Sequence, residues 1–140
     1  MAAGKLFATA SLLSVLLAAT AWGQAAREEK KSPPWELARA KMDAARRTCQ
    51  ALAQEYLEGK ATVEQVHQWS QRWLNAQRDM SSKKSDQLTA LEAHVSRMEQ
   101  LKKAARTRFD SHRGPFSDLS AAEYHRIDAQ LALSRAKTSR

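Results

Sequence analysis

A pattern that occurs twice, 53 residues apart, constrains this chain more than any other feature. The first copy runs Tyr56-Leu57-Glu58-Gly59, Val63, Val66, Leu74, Ala76-Gln77 and Met80. The second runs Phe109, Phe116, Leu119, Ile127, Ala129-Gln130 and Leu133. Each copy reads as the end of one helix, a tight turn and the start of the next. A repeated helix-turn-helix unit cannot bury its apolar face alone, whereas stacked units can. Such an architecture points to a scaffold or binding protein.

The segments around the repeat carry helical periodicity. Trp35, Ala38, Met42, Ala45, Cys49, Leu52 and Tyr56 follow one another at alternating spacings of 3 and 4, a heptad seam suited to coiled-coil packing. Gly59 ends that helix, because glycine accepts the left-handed conformation common just past a C-terminus. Thr62 and Gln65 form a capping-box pattern that opens the second helix. Its seam is Val63, Val66, Trp69, Trp73, Ala76 and Met80. The Ser81–Lys84 loop breaks the pattern and lets two hairpins dock on each other. The third helix presents Leu88, Leu91, Val95, Met98, Leu101, Ala105 and Phe109. Gly114-Pro115 makes the second turn, and Ser117 or Ser120 caps a fourth helix whose apolar stripe is Tyr124, Ile127 and Leu131, flanked by Ala129 and Leu133. No stretch alternates with period two, so strands are not expected. The expected fold is all-α: elongated helical hairpins forming a coiled-coil-like bundle of about four helices, over roughly 35–58, 62–80, 85–110 and 117–136 within a domain at 35–137.

The N-terminus reads as an export signal. Lys5 is the only charge before Arg27, Leu6–Ala21 is apolar or small, and small residues follow at Ala19, Ala21, Gly23 and Ala25. This gives an n-region, an h-region and an A-x-A-like cleavage zone near residues 21–25. The apolar run falls short of the roughly 20 residues that a spanning helix needs. Residues 1–23 are thus expected to be a signal peptide and 24–34 a flexible lead-in, with the protein periplasmic or secreted. A lone cysteine, Cys49, builds no internal disulfide framework; its place on an apolar seam suits a buried thiol, with a bridge between two chains as the other reading.

Catalytic and metal-binding constellations are not apparent in the pattern. None of the four histidines, His67, His94, His112 and His125, stands three or four residues from another. The expectation is therefore no catalytic residue, no metal and no cofactor. The chain has a formal charge of +8, and Lys102, Lys103, Arg106 and Arg108 cluster where positive charge suits a helix C-terminus. The same cluster could attract an anionic membrane surface or an acidic partner; an exported chain is a poor candidate for nucleic-acid binding. Trp35, Trp69 and Trp73 stand at core spacing, and any part of that face left open would make Trp69 and Trp73 anchors for a partner helix.

The run Tyr56-x-x-Gly59, Val66 and Leu74-x-Ala76-Gln77 resembles the hairpin tips of TolC-family outer-membrane efflux proteins. The second copy, Arg113-Gly114, Asp118-Leu119, Ala122-Glu123 and Ala129-Gln130, resembles the companion tip. The family's barrel strands have no counterpart here, so the resemblance implies a short stand-alone hairpin protein whose turns near Gly59 and Gly114 contact other helical hairpins. Leu88-Thr89-Ala90-Leu91-Glu92 is similar, more weakly, to the LTxxQ pattern of small periplasmic helical chaperones and metal-stress sensors.

The functional expectation is a non-catalytic helical scaffold of the bacterial envelope, efflux-related by its resemblance. It would bind another helical protein or itself through Tyr56, Gly59, Trp69, Trp73, Phe109 and Gly114. The alternative is a periplasmic chaperone or metal-stress sensor.

Overall fold

A computed structural model describes residues 33–139. The expected signal peptide and most of the lead-in lie outside the described residues. The fold is all-α, with four helices and, among the described residues, no strand: α1 Pro34–Leu57, α2 Val63–Asp79, α3 Lys84–Asp110 and α4 Phe116–Thr138. No described helix is long and apolar enough to cross a membrane.

Local chemistry sets the boundaries. Thr62 Oγ1 accepts from the Gln65 N–H at 3.2 Å while Gln65 Oε1 accepts from the Thr62 N–H at 2.9 Å, so the capping box forms and fixes the start of α2. Gly59 has φ 77°, and the Lys60 N–H reaches back to the Glu55 carbonyl at 2.8 Å to close α1. Ser81 shapes the α2–α3 corner: its hydroxyl accepts from the Lys83 N–H at 3.2 Å and donates to Asp86 Oδ2 at 2.6 Å.

The second hairpin turn departs from expectation. Its left-handed residue is His112, φ 57°, not Gly114. The Arg113 N–H bonds the Arg108 carbonyl at 2.8 Å, the same closure as in the first turn. His112 stands 53 residues after Gly59, so the two turns are equivalent residue for residue. Histidine is among the non-glycine residues that tolerate this conformation best. Gly114 serves a close approach instead: a Cβ there would meet the Arg108 Cβ at 3.1 Å. Neither Ser117 nor Ser120 caps α4. That helix begins at Phe116, directly after Pro115, and has no side-chain cap.

The four helices pack in sequence order. α1 lies on α2, α2 on α3, and α3 on α4; α2 also touches α4, α1 meets α3 over a short stretch, and α1 reaches α4 through a Tyr56–Asp118 side-chain contact at its C-terminal end. The main core gathers Tyr56, Ala61, Val63, Val66, Met98, Leu101, Ala105, Leu119, Ala122 and Ala129. A smaller cluster at the other end joins Leu74 to Ala90 and Leu91, with Ala132, Leu133 and Ala136 against it. Alanines at the contacts let the backbones approach closely, so the core is narrow.

Three expected core groups lie elsewhere. Trp35 is exposed, and Trp69 and Trp73 are only partly buried. An indole does not fit the close seam between alanine-lined helices; each of the latter two is covered instead by a guanidinium, Arg72 at 4.5 Å and Arg97 at 4.1 Å from the ring centroid. The expected α4 stripe also faces outward: Tyr124 is 68%, Ile127 51% and Leu131 44% exposed. α4 buries Leu119, Ala122, His125 and Ala129, because small residues permit the close contact with α3 that the bulkier stripe would prevent.

Met98 is fully buried at the centre of the main cluster. Met98→Ala is expected to lower unfolding free energy by about 2–5 kcal/mol, read by chemical denaturation. A loss well below this range would show that the core does not converge there.

Candidate functional site

The core carries an unusual polar layer. Ser70 of α2 and His94 of α3 are both buried, and the Ser70 Oγ to His94 Nδ1 distance is 2.9 Å. Arg97, one turn along α3, donates from Nε to Ser70 Oγ at 2.8 Å. Guanidinium only donates, so Ser70 Oγ accepts from Arg97 while also pairing with His94 Nδ1. The other ring nitrogen of His94, Nε2, has no partner. Burial, then the charges of Arg97, His67 and His125, push the His94 pKa down from 6.5 to about 4.

Two further histidines join this layer. His67 of α2 and His125 of α4 stack with ring centroids 3.6 Å apart and planes 12° from parallel, and His94 lies 6.3 Å from His67. The His125 Nε2 is 2.9 Å from Oε1 of Glu64, one turn before His67 on α2. Burial and then the neighbouring His125 lower the His67 pKa. The ligating atoms of Glu64, His67 and His125 all lie within 4.8 Å of one another. Imidazole nitrogens and a carboxylate oxygen are the donor types that divalent transition metals take.

Beside this layer, α1, α2 and α3 enclose a cleft of about 550 Å³ lined by Cys49, Ala53, Trp73, Arg97, Leu101 and Ala104, among others. α1 and α3 meet over only a short stretch, which leaves this space between them. Cys49 is a free, buried thiol, and burial raises its pKa, so it is placed for packing rather than for a bridge between folded chains.

The structure separates the residues singled out as partner contacts. Tyr56 is wholly buried and is no surface anchor. Its hydroxyl donates to Asp118 Oδ2 at 3.2 Å, and the Arg108 guanidinium lies 4.6 Å from its ring centroid. Burial and the Asp118 carboxylate push its phenol up to about 12, so it remains a donor. This contact ties the two hairpin turns together, with Arg108 also approaching Gly59. Gly59 and Gly114 shape turns; Phe109 is partly open and meets exposed Phe116 edge-to-face at 5.8 Å.

The basic cluster is largely satisfied within the chain. Lys102 pairs with Glu123 at 2.7 Å and Arg106 with Asp110 at 3.8 Å. Arg108 is occupied at Tyr56 and donates to the Arg113 carbonyl at 2.9 Å; Lys103 remains exposed.

The convergence of His67, His94 and His125 is the feature that sequence reasoning misses. Each of the three stands on a different helix, so spacing along any single helix does not reveal it. The legible signal is Glu64-x-x-His67, a carboxylate and an imidazole on one helical face in a bundle interior. Comparison with protein-family models, curated proteins and solved structures finds no match for this chain.

The buried histidine fixes a pH dependence. Its folded pKa lies below the unfolded value, so the unfolded state binds the proton first, and stability falls as pH drops from about 6.5 towards 4. The loss from His94 is about 3 kcal/mol across that window, with His67 acting in the same direction. Denaturant unfolding in chelator at pH 7 and pH 4.5 should show the decline, and His94→Asn should flatten it. An equally steep decline in the variant would assign the effect to other groups.

Proposed function

We propose that this protein is a non-catalytic helical scaffold of the bacterial envelope that assembles with further copies of itself, the outer face of α4 receiving the outer face of α1 of the next chain. The observation that carries this reading is the unequal burial of the two repeats. Val63 and Leu74 of α2 are buried, whereas their counterparts 53 residues later, Phe116 and Ile127 of α4, are exposed. Leu74 packs on Ala90 and Leu91 of α3. The counterparts of that pair in the first repeat are Leu37, which is 57% exposed, and Ala38 on α1.

The α2–α3 contact is thus half-built at each end of the chain: α4 carries the α2-like half and α1 the α3-like half. Applying the same pairing between chains sets Ile127 against Leu37 and Ala38. It also sets Glu123 against Lys41, the counterparts of the bonded Ser70 and His94; within one chain Glu123 already pairs with Lys102 and Arg126 and Lys41 with Asp79, so this contact would extend those pairs across chains. A head-to-tail contact of this kind closes into a ring or extends as a filament according to its rotation. Export through the N-terminal signal belongs to the same reading.

Sedimentation should detect species larger than the monomer at micromolar concentration, and Ile127→Glu should return the protein to a monomer with little change in melting temperature, since Ile127 touches solvent within one chain. A parent protein that stays monomeric at high concentration would overturn the proposal.

A further inference from the structure

We propose that Glu64, His67 and His125 bind one divalent transition-metal ion of the zinc class. This site is independent of the assembly through α1 and α4. Its donors come from two helices that are not sequence neighbours, which is why no spacing within one segment announces it.

Two observations converge, and one local rearrangement is required. The first is proximity: one donor atom from each of the three residues lies within 4.8 Å of the other two. Zinc bonds of about 2.0–2.2 Å at tetrahedral angles put ligand atoms about 3.3 Å apart. His125 Nε2 and Glu64 Oε1, at 2.9 Å, must open by a few tenths of an ångström. Glu64 can provide that movement because its side chain is exposed in the first turn of α2.

For both rings to bind, the stack must open: with centroids 3.6 Å apart and planes 12° from parallel, their in-plane lone pairs do not meet at one point, so coordination turns the half-buried His67 ring out of the stack. The second is the shape of the surroundings. His125 is buried, His67 is half-buried and Glu64 opens to solvent, so an ion has an entry path and a partly dehydrated seat.

The donor set also limits the metal. Two nitrogens and one oxygen favour zinc, cobalt, nickel or copper(II) over magnesium or calcium, which take oxygen ligands. Three protein ligands leave a position for water or another exchangeable ligand, as at open rather than closed zinc sites. His94, with its Nδ1 on Ser70 and its ring centroid 6.3 Å from that of His67, lies outside this donor set.

The test uses the untagged protein carrying Cys49→Ser, so that the thiol cannot supply a ligand, titrated with Co²⁺ and then Zn²⁺. Expected are one equivalent of Co²⁺ with visible d–d absorption, displacement by Zn²⁺, and a zinc-dependent rise in melting temperature. His67→Gln and His125→Gln should each weaken binding by more than about 100-fold, beyond the 10- to 100-fold that loss of a merely supporting partner costs. Glu64→Gln, at an exposed position where the amide oxygen can still accept from His125, should weaken it at least tenfold and keeps the test decisive if a histidine variant fails to fold. Absence of Co²⁺ and Zn²⁺ binding in the parent, or parental affinity in folded Glu64→Gln protein, would overturn the site.

Discussion

The structure depends on α2 being covered from two sides. α1 packs along one side and α3 along another, with α4 reaching its edge. Only a helix in that position can bury Val63, Val66, Ser70, Leu74 and Ala76 together. The capping box at Thr62 and the left-handed Gly59 set where α2 begins and how it leaves α1. The Tyr56 hydroxyl on Asp118, under the Arg108 guanidinium, locks the second turn against the first. Among the described residues, the first and last helices, α1 and α4, then have one covered side each.

The same position explains the polar layer. A hydroxyl and three imidazoles meet where α2, α3 and α4 approach one another, among alanines too small to fill the space with hydrocarbon. Buried polar groups are tolerated when their hydrogen bonds are made. Ser70 satisfies both Arg97 and His94 Nδ1, and Glu64 satisfies His125; within this layer His94 Nε2 is left without a partner. Arg97 links the layer to the cleft by stacking on Trp73, so a charged side chain, rather than an apolar one, covers the indole.

Much of the fold is legible in the sequence because it is written in local chemistry. The heptad seam of α1, the Thr62–Gln65 box and Gly59 predict helix limits that match the structure to within about a residue. The second turn is read less well, since Gly114 draws attention from His112, and only the 53-residue equivalence with Gly59 identifies the left-handed position. The buried side of α4 is not legible at all from periodicity. Leu119, Ala122, Ala129 and Leu133 form one apolar stripe and Tyr124, Ile127 and Leu131 another, so the choice falls to the neighbour that packs closest. The histidine layer escapes for a related reason: its members lie on three helices, and their convergence is a property of how the hairpins dock.

Each end of the chain, on the reading proposed above, carries half of a helix contact that the middle completes. The most direct test places cysteines at both halves, Leu37→Cys and Ile127→Cys, in a Cys49→Ser background under gentle oxidation. Within one chain α1 and α4 come together at Tyr56 and Asp118, and Leu37 lies about five turns away towards the other end of α1, so a disulfide between positions 37 and 127 can form only between chains. The expected product is a ladder of disulfide-linked oligomers that requires both introduced cysteines. Monomers alone under those conditions would contradict the half-built contact.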